Sequence, residues 1–304
     1  MRQAATQAGL VPNTQDGHVR VQFVTEGEAS VHFCVSNGSA LDAMKGLLLF
    51  SSSASDHETI MVVDASGGTV DISTYSVKMD VSLTIEELAA PECIFQGSAI
   101  VSFRARDFLV EKLEGSRYAE DVHEMFREFD RSTKLVFRSR DESSYIKFGS
   151  MRDREQEYNI RNGQIMLSGH EVASLFDPSM FNMRQAICKQ SLAAAEPVSR
   201  IFLVRGFAAS PWLFSKLQSC AKELGMAFCR PDTHTNNVVA EGAVSFYLDD
   251  FASVRVARFT YGARCLTHFE PSNPEHIRRS HCLITRASGR KCLPIGFISV
   301  LEEG

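Results

Sequence analysis

Apolar positions along this chain change rhythm several times, and the changes mark its elements. Residues 2–10 carry a helical spacing that stops at Gly9. Val19, Val21 and Phe23 then alternate with His18, Arg20 and Gln22, which predicts a half-buried strand. Thr25 with Glu28 three residues on predicts an N-cap and capping box, opening a helix through about Val35. The serine-rich stretch Ser51-Ser52-Ser53-Ala54-Ser55-Asp56-His57 reads as a surface link within 36–58. Beyond it, Thr59-Ile60-Met61-Val62-Val63 is a continuous apolar run, the pattern of a buried strand. Residues 70–77 form a second strand-like run, so 59–79 read as a hairpin.

Helical spacing returns over 98–113, with Leu109 and Leu113 on one face, and from Tyr118 to about Lys134, with Val122, Met125, Phe126 and Phe129 inward. Short strands are expected at 135–137 and 145–148, and Asn162-Gly163 predicts a two-residue hairpin turn. Residues 104–165 together read as a small inserted α+β unit. A helix over 170–195 is expected to break at Asp177-Pro178, where the proline starts it afresh. Residues 201–204 form a strand, then a turn, then a helix with Ser210 as N-cap and Pro211 as its first residue. Leu213, Leu217, Cys220 or Ala221, and Leu224 make its buried stripe, and Gly225 ends it. A last helix spans 236–249 with Gly242 inside it. An interior glycine costs about 1 kcal/mol against alanine, so this one predicts close packing on a neighbour. From 263 the chain turns polar, with Pro271, Pro274 and Pro294, and 296–301 start a strand.

Composition narrows the function classes. Hydrophobic residues make up 44% and charged residues 23%, the balance of an ordinary globular chain. A net charge of −5 argues against a nucleic-acid footprint. No apolar run approaches the ~20 residues of a spanning helix, and the N-terminus lacks the shape of a secretion signal, so no membrane partner and a cytoplasmic location are expected. The eight cysteines contain no Cys-x-x-Cys pair and read as reduced thiols. Cys265, His268, His276, His281, Cys282 and Cys292 crowd the tail, but their spacings match no structural zinc pattern and read as scattered tail residues.

The candidate chemistry lies in Asp64-Ala65-Ser66-Gly67-Gly68-Thr69-Val70-Asp71. Glycines let a backbone approach a ligand and aim N–H groups at it. The Thr69 hydroxyl adds a donor, and Asp64 and Asp71 can hold a divalent cation through its waters. That combination suits the phosphates of a nucleotide and their Mg²⁺. The same eight residues also describe a plain hairpin with a glycine turn and two solvated aspartates.

Three separated segments carry a family resemblance. Residues 64–71 resemble the second phosphate-binding hairpin of the actin, hexokinase and 70-kDa heat-shock ATPase superfamily. Val204-Arg205-Gly206-Phe207-Ala208-Ala209-Ser210-Pro211 is similar to its adenosine-binding turn, and Asn237-Val238-Val239-Ala240-Glu241-Gly242-Ala243-Val244 to its second connecting helix. Gln7-Ala8-Gly9-Leu10 and Val24-Thr25-Glu26-Gly27-Glu28-Ala29 resemble the segment before that hairpin in heat-shock chaperones. Phe-Ala-Ala-Ser-Pro-Trp-Leu-Phe-Ser-Lys-Leu-Gln (207–218) and Ala-Arg-Phe-Thr-Tyr-Gly (257–262) point to a divergent branch of the 70-kDa heat-shock family, the one numbered 12 in animals, with its fungal relatives. The likeness covers nearly the whole chain and is weakest over 80–95.

The resemblance implies an α/β fold, an incomplete actin-like (ribonuclease-H-like) ATPase. Residues 1–58 would be a remnant of the first lobe and a linker. Residues 59–262 would be the second lobe, with 104–165 inserted, and 263–304 a tail beginning the substrate-binding region. It implies ATP or ADP with Mg as cofactor, and unfolded-protein clients or a partner chain. Glu26, Asp64 and Asp71 would be the catalytic residues, positioning water and, through Asp64 and Asp71, the metal. Ser66, Gly67, Gly68 and Thr69 would hold phosphate. Arg205, Gly206, Phe207 and Ala209 would flank adenosine, with Lys134 on the adenine side.

The family's first phosphate loop, an Asp-x-Gly-Thr hairpin, and its first-lobe lysine have no counterpart here, so the chain resembles the middle of a longer protein. Ser66 stands where the family has a glycine, Arg205 where it has the first of two, and Gly27 where it has a proline. Hydrolysis is therefore expected to be impaired or absent. A non-enzymatic remnant or interaction module that binds no nucleotide is the alternative. A sugar-kinase-type enzyme shares the Gly-Gly-Thr hairpin, but the 207–218 and 257–262 matches point away from it.

Overall fold

The computed structural model describes residues 1–36, 57–79, 83–231, 237–249, 253–254, 256–257 and 259–302. The chain divides into two compact units, Met1–Ser253 and Val254–Gly304. The polar tail thus separates earlier than 263. The serine-rich link lies outside the described residues.

The first unit begins with helices α1 (Arg2–Gln7), α2 (Gln15–Val19) and α3 (Glu26–Ser36), followed by strands β1 (His57–Ala65), β2 (Val70–Met79) and β3 (Leu83–Ile94). Helices α4 (Ser98–Lys112), α5 (Val122–Glu128) and α6 (Lys134–Val136) lead to β4 (Ser144–Lys147), β5 (Ile160–Arg161) and β6 (Gln164–Leu167). Helix α7 (Gly169–Ala193), β7 (Arg200–Val204), α8 (Pro211–Glu223), β8 (Ala227–Cys229), α9 (Val238–Asp249) and the short β9 (Ser253–Val254) complete the order. The architecture is mixed α/β around a mixed sheet whose first five strands lie in the order β8-β7-β1-β2-β3. β1 runs parallel to β7 and antiparallel to β2, and β7 runs parallel to β8.

β1 is apolar over Ile60–Val63 because both its faces are covered there, as is usual for strands inside α/β sheets. Met61 and Val63 join a core with Leu109 of α4, Phe176 of α7 and Leu213 of α8. Ile60 and Val62 join a second core with Val31, Phe33 and Val35 of α3 and Val238 of α9. Helices α3 and α9 meet closely on that second face. A Cβ on Gly242 would lie 1.8 Å from the Ala29 carbonyl oxygen, so this glycine is a packing contact, as its cost inside a helix suggested. The cap of α3 is the expected one: Glu28 N donates to Thr25 Oγ1 at 3.1 Å, and Thr25 N to a Glu28 carboxylate oxygen at 2.9 Å.

Residues 104–165 do not stand apart. β4, β6 and β5 form a separate three-stranded sheet, but Ile146, Ile160 and Ile165 share the core of Met61 and Val63. The β5–β6 turn has Asn162 and Gly163 at φ 54° and 70°, the two positive angles a type I′ turn requires.

Three local expectations are corrected. The alternation at 19–24 forms no strand. Thr14 caps α2 by accepting from Gly17 N, while Val19 and Phe23 stay exposed, so the alternating pattern found no sheet to join. Residues 135–137 are not a strand either. A π-helical turn, Phe129–Thr133, carries the chain into α6, and only Phe137 buries its ring, against Phe176 and Trp212. Pro178 does not break α7, which is continuous from a Ser168–Glu171 capping box. The carbonyl it deprives of a partner belongs to exposed Ser174. Neighbouring carbonyls gain side-chain donors: Arg104 Nη1 of α4 donates to Leu175 O at 3.1 Å, and Asn182 Nδ2 of the next turn donates to Pro178 O at 2.7 Å.

The second unit pairs β10 (Tyr261–His268), β12 (Lys291–Leu301) and β11 (Ile284–Thr285) in that order, with a short helix α10 (Pro274–Arg278). Its strand β12 starts at Lys291, before the expected 296. No helix of the described residues is long and apolar enough to cross a membrane.

Candidate functional site

The site is built where the interior strands β1 and β7 of the main sheet end. In the parallel pair β1–β7, Asp64 lies opposite Val204, so Arg205 leaves β7 beside the point where β1 enters its loop. In the antiparallel pair β1–β2, Asp64 faces Asp71. Neighbouring strands lie about 4.8 Å apart, so both turns singled out in the sequence open side by side. Ligands of open α/β sheets bind at this carboxyl end of the parallel strands.

The loop 66–69 is held from within and from below. Ser66 N and Ser66 Oγ both donate to Thr69 O at 3.0 Å, and Thr69 Oγ1 donates to Asp71 Oδ2 at 2.9 Å. The start of α4 sits under the loop. Gly97 N, Ser98 N and Ala99 N donate to the carbonyls of Gly68, Ser66 and Gly67 at 3.2, 3.1 and 2.8 Å. A Cβ on Gly97 would stand 2.4 Å from Gly67 O, which makes Gly97 the residue that lets helix and loop touch.

With the loop carbonyls turned toward α4, the N–H groups of Gly67 and Gly68 donate to no acceptor among the described residues, and both residues are exposed. Neither has a positive φ, and a Cβ on either would meet nothing within 4 Å. The fold therefore gives no reason of its own for two glycines here. Ser66 turns its hydroxyl into the loop.

The charges converge on Asp64, which is 1% exposed and whose two oxygens accept no hydrogen bond among the described residues. Arg205 Nε lies 3.2 Å from Asp64 Oδ1, an ion-pair distance without the alignment of a hydrogen bond. Burial pushes the Asp64 carboxyl up from 3.8 to about 7; Arg205 pulls it down, and Glu26 and Asp71 add to the rise. Near neutral pH it is poised between its two protonation states. The same guanidinium reaches Glu26, with Nη2 at 3.3 and 3.2 Å from its two carboxylate oxygens. Arg205 thus bridges Glu26 and Asp64, and Asp71 lies opposite Asp64 on β2. Among the described residues no three His, Cys, Asp or Glu side chains converge as a metal-binding group.

Arg205 adopts φ 76°, ψ −175°. That region is essentially reserved for glycine and costs a residue with a side chain roughly 1–3 kcal/mol. The backbone here has the shape a glycine would take, although the sequence carries arginine.

The residues that the resemblance assigned to adenosine divide. Gly206 and Ala209 are exposed on a 3₁₀ turn that Arg230 supports by donating to Ala208 O at 2.8 Å. Phe207 is 4% exposed and stacks on Phe176, so its ring belongs to the core and does not flank an open pocket. Lys134 is buried and donates to Ser98 O, Ser102 Oγ and Asp130 Oδ1 at 3.3, 2.9 and 2.5 Å. With all three hydrogens committed, it anchors the first turn of α4 and is not free to meet an adenine. The sequence reading missed Gly97 and Arg230. A glycine before a helix is a start signal that could have flagged the first, but nothing local points to the second.

No protein-family model matches the sequence, and no curated protein matches it.

Proposed function

We propose that the chain is a nucleotide-binding protein of the 70-kDa heat-shock type, taking ATP or ADP at the site formed by the β1–β2 loop and the end of β7, with absent or negligible hydrolysis. One observation carries the reading. Two exposed glycines that neither the backbone nor packing requires present uncommitted N–H groups beside a buried carboxylate. Room for a ligand's phosphates explains both glycines at once.

An incomplete actin-like fold is supported by how the three resembling segments fall: the hairpin loop at the end of β1, the 205–210 turn at the end of parallel β7, and the connecting helix α9 crossing α3 at Gly242 and Ala29. Weak or absent hydrolysis is supported by Arg205, which already pairs with Glu26 and Asp64, because phosphoryl transfer depends on all charges being placed together. The chaperone role and its unfolded-protein clients are supported by the sequence resemblance.

The test is thermal unfolding with and without ATP and ADP. Saturable stabilisation by either nucleotide, lost when Gly67 and Gly68 are both replaced by valine, is expected. No stabilisation at millimolar nucleotide would remove the reading. The alternative, an interaction module that binds no nucleotide, is favoured by Arg205, whose guanidinium already spans Glu26 and Asp64.

A further inference from the structure

Arg205 does more than fill space. Its Nε pairs with Asp64 and its Nη2 with Glu26, so one fixed positive charge is shared between two carboxylates from β1 and α3. These are two of the three carboxylates from which a metal site would have to be made. Arginine stays charged under all ordinary conditions and binds as a rigid planar fork. It is held here at a backbone conformation suited to glycine, and such strain persists only where the surroundings over-determine it. The two carboxylates supply that determination. Nη1 has no acceptor among the described residues, and the side chain is 23% exposed, which leaves donors for an incoming anion at the end of β7.

We propose that Arg205 is a built-in counter-ion that closes Glu26 and Asp64 to divalent cations, so that the site takes a phosphate-bearing ligand without one. The phosphate half rests on the nucleotide reading above; the exclusion of cations does not. A carboxylate already matched by a guanidinium offers a divalent cation little net attraction, and the cation would meet a like charge at contact range.

The decisive probe is Mn²⁺ alone, titrated into the whole chain and followed by electron paramagnetic resonance. Wild type is expected to bind it weakly, and Arg205→Gly about tenfold or more tightly, because the two carboxylates are released. Arg205→Gln, which keeps side-chain length and removes the charge, should move the same way, and adding Asp64→Asn to Arg205→Gly should abolish the gain. Wild type binding Mn²⁺ as tightly as Arg205→Gly, or neither form binding it, would overturn the exclusion.

A second arm measures ATP affinity by calorimetry in EDTA and in Mg²⁺. Wild type should differ by less than about threefold between the two, and Arg205→Gly should become Mg²⁺-dependent. An ATP affinity in wild type that requires Mg²⁺ would overturn the second half. If neither form binds ATP, the nucleotide reading fails and the Mn²⁺ result still decides the role of Arg205.

Discussion

Replacing Asp64 by asparagine should make the protein more stable at pH 8 and leave it nearly unchanged at pH 4. The carboxyl is 1% exposed, has no hydrogen bond among the described residues, and titrates near 7 in the folded chain instead of 3.8. Because the folded value is the higher one, the folded state holds the proton more tightly. The stability that this provides is complete below about 3.8 and is lost as pH rises through 7. A gap of about three pH units corresponds to roughly 4 kcal/mol between the two ends of that window.

Asparagine has nearly the same shape and no such titration. It forfeits the ion pair with Arg205 but never has to bury a charge. Other carboxylates also titrate in this range. Hydrogen bonds from Lys112 and Ser168 outweigh burial and hold Glu171 below its usual value, so its contribution falls away as pH drops. The informative quantity is therefore the difference between Asp64→Asn and wild type, measured by thermal or urea unfolding across pH 4–8. That difference should grow with pH by a few kcal/mol, and each kcal/mol moves the midpoint by about 2–4 °C in a chain of this size. A flat difference, or one that shrinks as pH rises, would refute the reasoning.

Three further outcomes follow from the same geometry. Gly97→Ala should cost about 1–3 kcal/mol by overpacking, read by urea unfolding. Gly97 has an ordinary φ of −68°, so only the 2.4 Å approach to Gly67 O opposes the methyl group, and a neutral result would mean the loop and α4 do not touch. Lys134→Met should lower stability by about 1–3 kcal/mol, because Asp130 and Ser102 lose their donor, and leave ATP affinity unchanged; an affinity loss without a stability loss would return Lys134 to the binding site. Phosphate release with ATP and Mg²⁺ should be indistinguishable from that of the Asp64→Asn variant, and a clear rate abolished by the substitution would show that Arg205 does not disable Glu26 and Asp64.

What could be read from the sequence was set by short-range chemistry. The loop 66–69, the Thr25–Glu28 box, the Ser210-Pro211 start and the Gly225 stop (φ 74°) are each written within a few residues. Gly242 was legible because a glycine inside a helix needs a reason, and Ala29 supplies it. What failed depended on contacts far along the chain. Arg205 reads only as a departure from the family's glycine until Glu26, 179 residues away, is seen holding it. Phe207 lies in a turn that resembles a ligand site, yet Phe176 draws its ring into the core. Pro178 carries a breaker's signal, but the burial of Phe176 and Met183 and the bond from Arg104 keep α7 whole. The alternation at 19–24 was a real pattern with no neighbouring strand to use it.

If the Gly67 and Gly68 N–H groups receive a nucleotide's phosphates, the backbone amide resonances of Gly67, Gly68, Thr69 and Gly206 report it while ATP is added to the ¹⁵N-labelled chain. Saturable shifts centred on Gly67 and Gly68 are expected, absent when adenosine replaces ATP. Unmoved glycine amides at millimolar ATP, or shifts confined to residues away from the ends of β1 and β7, would contradict phosphate binding there.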